Sequence, residues 1–358
     1  MEFKLGEFFC GPGGIAFGAI NTAAVINEKG IKFNIAPSWA SDYDLDTCKT
    51  YGLNIHGNEH SERVLHNDVK KIEIESLEGC DGFAFGFPCN DFSIVGESKG
   101  LDGDYGPLYS YGIKYLTTHK PMWFVAENVS GLSSSNNGKA FELILNSMTN
   151  AGYKVTPHLY KFEQYGVPQA RHRILIVGIR DDLNTVYKVP KPTHIGNLVT
   201  SKESITIPPI DSNADNHVYT TQSKQVVERL KWIKPGSNAW SEDIPDHLRL
   251  NVKGAKLSNI YKRLDPNKPS YTVTGSGGGG THIYHWEENR ALTNRERARL
   301  QTFPDDFMFV GKKESVRKQI GMAVPPNGIS KIFQAILDSF ANNSYKSIEA
   351  NIKFTEKE

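Results

Sequence analysis

A cysteine directly follows a proline in the run GFPCNDFS, where an apolar stretch of the chain ends. The cysteine is Cys89, and the preceding run DGFAFGF has the composition of a buried β-strand. Most buried cysteines only fill space in a core. A Pro-Cys step at a strand end can instead project the thiol out of the sheet, where nearby positive charge or a base would favour the reactive thiolate. Cys89 is therefore a candidate nucleophile.

Charged residues next to two other predicted strands could support such a nucleophile. Glu127 follows the apolar run MWFVA, which places an acid at the end of a strand. Arg171 and Arg173 lie in QARHR, directly before the apolar run ILIVGI. Because alternate residues of a strand point the same way, we expect the two arginines to share one face. The sequence thus predicts an acid and two guanidinium groups near the thiol.

Glycines and acids also mark the ends of the first strands. The run FFCGPGG, from Phe8 to Gly14, follows one apolar strand and precedes a helix, where backbone amides can approach a ligand. Asp42 in SWASDYD and Asp68 in HNDV follow the next strand-like runs. Each acid alone is more often a cap or a turn residue. Together the features predict a cofactor that carries a nucleoside.

The elements that must position these residues alternate along the first half of the chain. Apolar runs such as KLGEFF and RILIVGI alternate with amphipathic segments, which is typical of βαβ units and a largely parallel sheet. Apolar residues at helical spacing predict two helices, over 141–148 and 329–340. After about residue 182 the alternation stops, and the chain to about residue 286 is rich in Pro, Asn, Ser, Thr and Gly. We interpret that segment as a smaller inserted domain, and the polar tail from about residue 342 as frayed.

Composition sets broader limits on the function. The chain of 358 residues has no apolar stretch long enough for a membrane span and no secretory signal at its start, so a cytoplasmic protein is expected. Its four cysteines show no metal-finger spacing, so neither a metal site nor a disulfide framework is expected. The net charge of +1 gives no overall signature of nucleic-acid binding.

One local basic run stands out against this neutral balance. From Arg249 to Lys268 the chain carries six basic residues and a single acid, Asp265. Such a run is either an ordinary solvated face or a contact for phosphates. The later run of glycines, Gly277 to Gly280, allows either close backbone approach to a ligand or a flexible connection. The sequence leaves both choices open.

Taken in order, these motifs resemble those of the cytosine-C5 DNA methyltransferase family of bacterial restriction-modification systems. FFCGPGG resembles its cofactor motif, GFPCNDFS its Pro-Cys motif, AENV its Glu-Asn-Val motif and QARHR its Gln-x-Arg-x-Arg motif. RALTNRERARLQTFPDDF and QIGMAVPP resemble its last two motifs. The resemblance covers about residues 5–185 and 290–340, and six ordered motifs are far more specific than any one of them.

The resemblance implies a fold and a domain organisation. The fold would be an α/β, Rossmann-like methyltransferase sheet with helices on both faces, accompanied by a smaller irregular target-recognition domain. The catalytic domain would span residues 1–185 and 290–345, the target-recognition domain residues 186–289, and a polar tail residues 346–358. Within that recognition domain, the basic run is interpreted as a phosphate contact.

The resemblance also implies a role for each matched residue. Those that would contact S-adenosylmethionine are Phe9, Gly11, Gly13, Gly14, Asp42, Tyr43, Asp68, Pro88 and Leu108. Those that would act on the base are Cys89, Glu127, Arg171 and Arg173. Cys89 would add to C6 of a cytosine flipped out of duplex DNA, Glu127 would meet the N3 edge, and Arg173, with Arg171 near it, would approach O2. A methyl group would then pass to C5.

The sequence departs from the family at three positions. Asn90 replaces the usual Gln after the nucleophile, Tyr105 replaces an Arg in the following glycine-rich segment, and Met322 replaces an Asn in the last motif. None of the three is part of the core chemistry. The expected partners are double-stranded DNA and a cognate restriction endonuclease, with the protein itself a monomer that has no membrane association.

Three other functions are less consistent with these motifs. A tRNA cytosine-C5 methyltransferase would share every catalytic motif, although the sizeable recognition insertion favours DNA. A catalytically idle DNA-binding module conflicts with the intact catalytic motifs. A nicotinamide-dependent Rossmann enzyme would have no use for the set of Cys89, Glu127 and Arg173.

Overall fold

The computed structural model describes two compact units of the chain, each formed from separate segments. The described residues are 1–87, 108–129, 138–251, 257–278 and 280–354. The first unit comprises Met1–Lys161, His172–Pro192 and Pro326–Glu358, and the second comprises Phe162–Arg171 and Thr193–Pro325. The units therefore divide the chain at residues 192 and 325, and residues 290–325 group with the second unit. The target-recognition role of residues 186–289 stays a prediction.

A mixed eight-stranded sheet forms the centre of the first unit. Its strands are β1 (Glu2–Phe8), β2 (Val25–Ile26), β3 (Lys32–Asp42), β4 (Val64–His66), β5 (Gly82–Gly86), β6 (Trp123–Val129), β7 (Tyr153–Lys161) and β9 (His172–Arg180). The order is β2-β3-β1-β5-β6-β9-β7, with β4 paired to β3. Strands β4, β3, β1, β5 and β6 run parallel, whereas β9 runs antiparallel to both β6 and β7. The α/β, Rossmann-like prediction is confirmed.

Helices of the first unit connect and cover these strands. They are α1 (Gly14–Ile20), α2 (Leu45–His56), α3 (Tyr109–His119), α4 (Lys139–Asn150) and α9 (Pro326–Ala341). The apolar stripe predicted for α4 is buried as expected. Helix α9 packs against α1 so closely that a Cβ added at Gly18 would lie 2.3 Å from the Ile329 side chain. Glycine at that position therefore allows the contact between the first and last helices of the unit.

The polar tail is not frayed where the structure describes it, which corrects the sequence-based expectation. Strand β12 (Ser347–Ile348) pairs with β10 (Val189–Pro190). Asn351 then bonds to the backbone of Leu159 in both directions, at 2.8 and 3.1 Å. These contacts are hydrogen bonds of backbone and amide groups, so the pattern of apolar residues in the sequence could not predict them.

The second unit is mostly irregular. Its elements are β8 (Gln169–Ala170), α5 (Ser201–Thr206), α6 (Lys224–Lys231), β11 (Ser270–Tyr271), α7 (Asn294–Leu300) and α8 (Lys313–Met322), with β8 and β11 forming a short parallel pair. A small apolar core includes Leu230, Tyr261 and Tyr284. Buried Arg263 crosses this core and donates to the carbonyls of Leu230 and His285.

The basic run from Arg249 to Lys268 is therefore not one uniform phosphate-binding face. Arg263 is buried, and Arg249 pairs with Asp246 and bonds to the Ile244 carbonyl, so both guanidiniums have intrachain partners. Lys268 pairs with Asp265. Lys253 and Lys256 lie outside the described residues. The prediction of phosphate contact by this run remains untested.

Strand β5 forms the buried centre of the first sheet. It pairs with β1 on one side and with β6 on the other, and its residues Phe83, Ala84 and Phe85 are fully buried. A continuous apolar sequence is what a parallel strand with both faces covered requires. Among the residues that the structure describes, no helix has the length and apolar character needed to cross a membrane.

An ionisable side chain lies in this core, one residue before the end of β1. Glu7 is fully buried, and its Oε1 accepts a 2.8 Å hydrogen bond from the Tyr51 hydroxyl. Loss of hydration raises the pKa of Glu7 to about 8, although the Tyr51 bond opposes the shift. The carboxyl group is therefore protonated in the folded protein at neutral pH.

We expect Glu7→Gln to remove a pH dependence of stability. Between its ordinary pKa of 4.5 and about 8, Glu7 keeps its proton only in the folded state, so its contribution to the free energy of unfolding falls as pH rises. Glutamine is neutral throughout. Denaturant unfolding should show the variant gaining stability relative to wild type between about pH 5 and about pH 8. A constant difference, equal to that of the exposed control Glu28→Gln, would contradict the buried acid.

Candidate functional site

The turn between β1 and α1 is tied to the end of β3 by a carboxylate. The Gly11 amide donates to Asp42 Oδ2 at 3.0 Å, and the Asp44 amide donates to Asp42 Oδ1 at 3.1 Å. Gly13 caps α1 with a φ of 97°, in the left-handed region that favours glycine. Burial raises the pKa of Asp42, and the two amide bonds partly oppose that shift. Asp42 thus fixes the shape of the glycine turn.

A pocket of about 450 Å³ opens beside this turn, at the carboxyl ends of β1, β3 and β4. Its lining is Phe9, Ser41, Asp42, Tyr43, His66, Asn67, Asp68, Val69, Lys70 and Leu108. Five of the predicted cofactor residues are in this set: Phe9, Asp42, Tyr43, Asp68 and Leu108. The other lining residues were missed, although each of them lies within two positions of Asp42 or Asp68 in the sequence.

The remaining predicted cofactor residues have other positions. Gly11 contacts the pocket residue Asp42, whereas Gly13 and Gly14 form the start of α1 and do not line the pocket. Pro88 lies outside the described residues. Asp68 begins a short 3-10 turn by accepting from the Lys70 amide at 3.1 Å, which leaves further lone pairs of its carboxylate available.

An ion pair lies at the same edge of the sheet, between β6 and β9. Glu127 Oε1 and Arg173 Nε are 2.9 Å apart, and the two side chains are 15% and 13% exposed. In the antiparallel register Arg173 is opposite Val129, two residues from Glu127, so both side chains point to one face. Arg173 also donates to the His172 carbonyl at 2.8 Å. The pair is preorganised and still reachable from solvent.

The neighbouring Asn128 holds the end of β5. Its Nδ2 donates to the Phe87 carbonyl at 2.9 Å, and its Oδ1 accepts from the Val129 amide at 2.8 Å. Phe87 precedes Cys89 by two residues in the sequence, and Cys89 itself lies outside the described residues. Asn128 was not among the predicted site residues. Its position in the strand directly after Glu127 was the signal that could have identified it.

The two predicted arginines have different surroundings. Arg171 lies between β8 and β9, in the second unit, and is only 2% exposed. It donates to the Val273 and Gly321 carbonyls, both at 3.1 Å. The expected alternation along one strand does not apply, because β9 begins after Arg171. Only Arg173 pairs with Glu127, and Arg171 anchors backbone segments of the second unit.

The three cysteines that the structure describes are poor nucleophiles. Cys10 and Cys48 are buried, and Cys80 is half-buried with its thiol 3.1 Å from the Tyr115 hydroxyl. Burial raises the pKa of Cys48 and of Cys80 to about 12, and raises that of Cys10 as well. Within the described ranges, no cluster of three or more His, Cys, Asp or Glu residues has the arrangement of a metal site.

Comparison with known proteins identifies the family. The family model of the C-5 cytosine-specific DNA methylases matches residues 3–338. The chain is 56% identical to the Type II methyltransferase M.BbvI of Brevibacillus brevis, over 99% of this chain and 96% of that protein. It is 39% identical to the Type II methyltransferase M.NgoFVII of Neisseria gonorrhoeae, over 89% and 85% of the two chains.

Solved structures share the fold. A putative DNA modification methyltransferase encoded within an E. coli prophage superposes with a TM-score of 0.71 at 20% identity, covering 94% of this chain and 99% of that one. The S. pombe Dnmt2 methyltransferase gives 0.64 at 16% identity, with 95% and 99% covered. The family match over residues 3–338 and the 56% identity to M.BbvI show that the chain belongs to the family of C-5 cytosine-specific DNA methylases.

Proposed function

We propose that the protein flips a cytosine out of duplex DNA, adds the Cys89 thiolate to C6 and transfers a methyl group from S-adenosylmethionine to C5. The observation that carries the proposal is the solvent-reachable Glu127–Arg173 pair, on a strand whose Asn128 holds the Phe87 carbonyl. In the sequence, Cys89 follows that carbonyl by two residues. An acid, a guanidinium and a thiol are the three groups the reaction requires.

The pocket beside the glycine turn fits S-adenosylmethionine. Phe9 and Leu108 offer apolar surface for an adenine ring, and Asp42 and Asp68 offer carboxylate oxygens to ribose hydroxyls and an exocyclic amine. When bound there, the cofactor supplies a methyl group on a positively charged sulfur. Carboxylates near the pocket are compatible with that charge. The volume of about 450 Å³ is within the usual range for a small-molecule site.

The chain's residues explain how an unreactive carbon could be methylated. C5 of cytosine is a poor nucleophile until a thiolate forms a bond to C6, which moves an electron pair into the ring and toward C5. Negative charge then develops at N3 and O2. A proton shared between N3 and Glu127 would neutralise the charge at N3, and Arg173 would stabilise the charge at O2. With C5 methylated and the sulfur of the cofactor left as a neutral thioether, a base would remove the C5 proton. The C5=C6 bond would then re-form, N3 would lose its added proton and the Cys89 thiolate would leave.

The Glu127–Arg173 contact prepares both groups for this task. Each side chain fixes the orientation of the other before substrate arrives, so little reorganisation is needed as charge develops. Asn128 acts indirectly, as a positioning residue for the backbone before Pro88. Arg171 also acts indirectly, since it donates its hydrogen bonds to backbone carbonyls of the second unit. A flipped base is required because a stacked base cannot reach these groups.

The biological setting follows from the relatives' names. Two relatives of the chain are called Type II methyltransferases, so we propose that this protein is the modification enzyme of a restriction-modification system with a cognate endonuclease. It would act as a monomer on double-stranded DNA in the cytoplasm. A tRNA substrate is less favoured, since the family model that matches the chain is named for cytosine-specific DNA methylases.

Cys89→Ala should abolish methylation, because burial raises the pKa of each of the three thiols that the structure describes, so none of them can replace it as the nucleophile. Bisulfite sequencing of DNA from cells expressing each protein would reveal both the activity and the recognised sequence. The control Cys80→Ala removes a half-buried thiol and should leave methylation intact. A duplex containing 5-fluorocytosine at the mapped site should remain covalently joined to the wild type only. Full methylation by Cys89→Ala would refute the covalent route.

Glu127→Gln should lower kcat by about 100-fold or more, because an amide cannot deliver the proton that neutralises N3. Radioactive methyl transfer to the mapped duplex, at saturating cofactor, measures this loss. The exposed Glu28, in the turn before β3, gives the matched control Glu28→Gln, which should transfer at the wild-type rate. Equal rates for all three proteins would remove Glu127 from the chemistry.

Asp68→Asn should weaken binding of S-adenosylmethionine by about tenfold, the typical value of one charge-assisted hydrogen bond. Asparagine retains an oxygen to cap the Lys70 amide, so the short turn should persist. Asp81 also accepts a hydrogen bond from a backbone amide, that of Lys4 in β1 at 2.9 Å, and it does not line the pocket, so Asp81→Asn is the control. Calorimetric titration without DNA separates this effect from turnover. Equal affinities for both variants would contradict the assigned pocket.

A further inference from the structure

A single side chain takes the place of a neighbouring strand at the outer edge of the first unit's sheet. Strand β7 is last in the strand order and pairs with β9 on its inner side. At its outer edge, Asn351 Oδ1 accepts from the Leu159 amide at 2.8 Å, and Asn351 Nδ2 donates to the Leu159 carbonyl at 3.1 Å. The side-chain amide thus makes the two hydrogen bonds that a paired strand would make at that residue.

The residues after Asn351 attach the tail to the hydrophobic core. Ile352 and Phe354 are half-buried and pack against the large core cluster of the first unit, which includes Ile174. Ile174 is directly opposite Leu159 in the pairing of β7 with β9, so these two residues share a face of the sheet. The segment from Asn351 to Phe354 is therefore fixed both to the edge of β7 and to the core.

The backbone of Asn351 holds the ring of His158, which points to the other face of β7. The Asn351 amide donates to His158 Nδ1 at 3.1 Å. His158 is 4% exposed, and burial lowers its pKa to about 4, so the ring is neutral at physiological pH and Nδ1 can accept. The bond selects the tautomer with its proton on Nε2 and fixes the orientation of the ring.

The oriented ring of His158 packs on Tyr160. The two ring centroids are 4.6 Å apart, and the ring planes meet at 64°. Because Tyr160 is two residues after His158, both side chains lie on the same face of the strand. Tyr160 is 1% exposed, and its hydroxyl is 2.9 Å from the Tyr187 hydroxyl. Tyr160 therefore has little freedom to move while His158 stays in place.

Tyr160 is the residue directly opposite Arg173 in the pairing of β7 with β9. Side chains of directly opposite residues share a face, with their Cβ atoms about 5 Å apart. Strand β9 begins at His172, and its pairing with β6 ends at Val129 and Arg173. The end of a ladder opens more readily than its centre. The place of Arg173 beside Glu127 thus depends on how firmly β7 is held on the other side.

We propose that Asn351 positions Arg173 for the reaction, through His158 and Tyr160. The inference rests on the proposed function, because that function gives Arg173 its task at O2 of the base. Asn351 is a positioning residue, since its hydrogen bonds go to β7. The tail after α9 is thereby part of the catalytic arrangement, although none of the sequence motifs includes it.

Asn351→Ala should lower kcat by about tenfold, because a small displacement of an oriented group is enough to lose such a factor. Methyl transfer to the mapped duplex measures kcat, and the final yield of 5-fluorocytosine adduct counts the active molecules. Calorimetric titration without DNA should give the wild-type Kd for S-adenosylmethionine, since the pocket lies at β1, β3 and β4, on the other side of β5. A purely structural role would lower the active fraction and leave kcat per active molecule unchanged.

Asn343→Ala is the matched control. Asn343 Nδ2 donates to the Ile26 carbonyl at 3.2 Å, and Ile26 is in β2, at the opposite edge of the same sheet. The change removes a bond from an asparagine side chain to the backbone in the same C-terminal region. Its kcat should equal that of the wild type.

Two changes at Tyr160 test the route from the tail to Arg173. Tyr160→Leu removes the ring and should lower kcat about as much as Asn351→Ala, whereas Tyr160→Phe keeps the ring and should recover most of that loss. Changes that act through the same contacts are not additive. The double variant of Asn351→Ala and Tyr160→Leu should therefore lose about tenfold in total, and not the roughly 100-fold product of two independent effects.

Wild-type kcat per active molecule in Asn351→Ala would overturn the inference, as would an equal loss in Asn343→Ala. A loss of about 100-fold in the double variant would make the two effects independent and would overturn it as well. Weaker binding of S-adenosylmethionine by Asn351→Ala, in parallel with the loss of kcat, would assign the tail to general stability and have the same consequence. Failure of the proposed function has a different signature, namely a wild-type protein that leaves DNA unmethylated and forms no adduct with 5-fluorocytosine.

Discussion

The parallel pairing of β5 with β1 on one side and β6 on the other brings two kinds of chemistry to one edge of a sheet. The pocket lies where β1, β3 and β4 end, and the Glu127–Arg173 pair lies where β6 ends and β9 begins. Parallel strands all present their carboxyl ends on the same side, so residues far apart in sequence meet there. Asn128 strengthens the arrangement, because its side chain crosses from β6 to the carbonyl that follows β5.

Apolar patterning predicted the central strands β5, β6 and β9, which are largely apolar and buried. It predicted neither β7 nor the antiparallel direction of β9. The positions of Asp42 and Asp68 after predicted strands also indicated a binding site, and both residues line a pocket. Patterning failed at Arg171, because a two-residue strand, β8, breaks the alternation just before it. It failed again at Asn351, whose hydrogen bonds to Leu159 connect positions far apart in sequence. Hydrogen bonds between residues far apart in the chain produce no periodic pattern in the sequence.

The buried arginines show that residue type alone does not define a role. Arg263 and Arg295 are nearly inaccessible and direct their donors to backbone carbonyls, which satisfies the polar groups of an irregular unit. Arg173 remains within reach of solvent and faces a carboxylate. A basic run in a sequence is therefore weak support for nucleic-acid contact until each guanidinium has been matched with its partners.

The packing of α1 against α9 also bears on the order in which the protein can be built. Gly18 and Ile329 touch, yet more than 300 residues and the whole second unit separate them in sequence. During synthesis the first strands therefore leave the ribosome long before the helix that covers α1 exists. Until α9 has been synthesised, the side of α1 that packs against it stays exposed. Deletion of residues 326–341 would leave that side exposed permanently. Completion of the sheet domain is thus a late event in the life of each new chain.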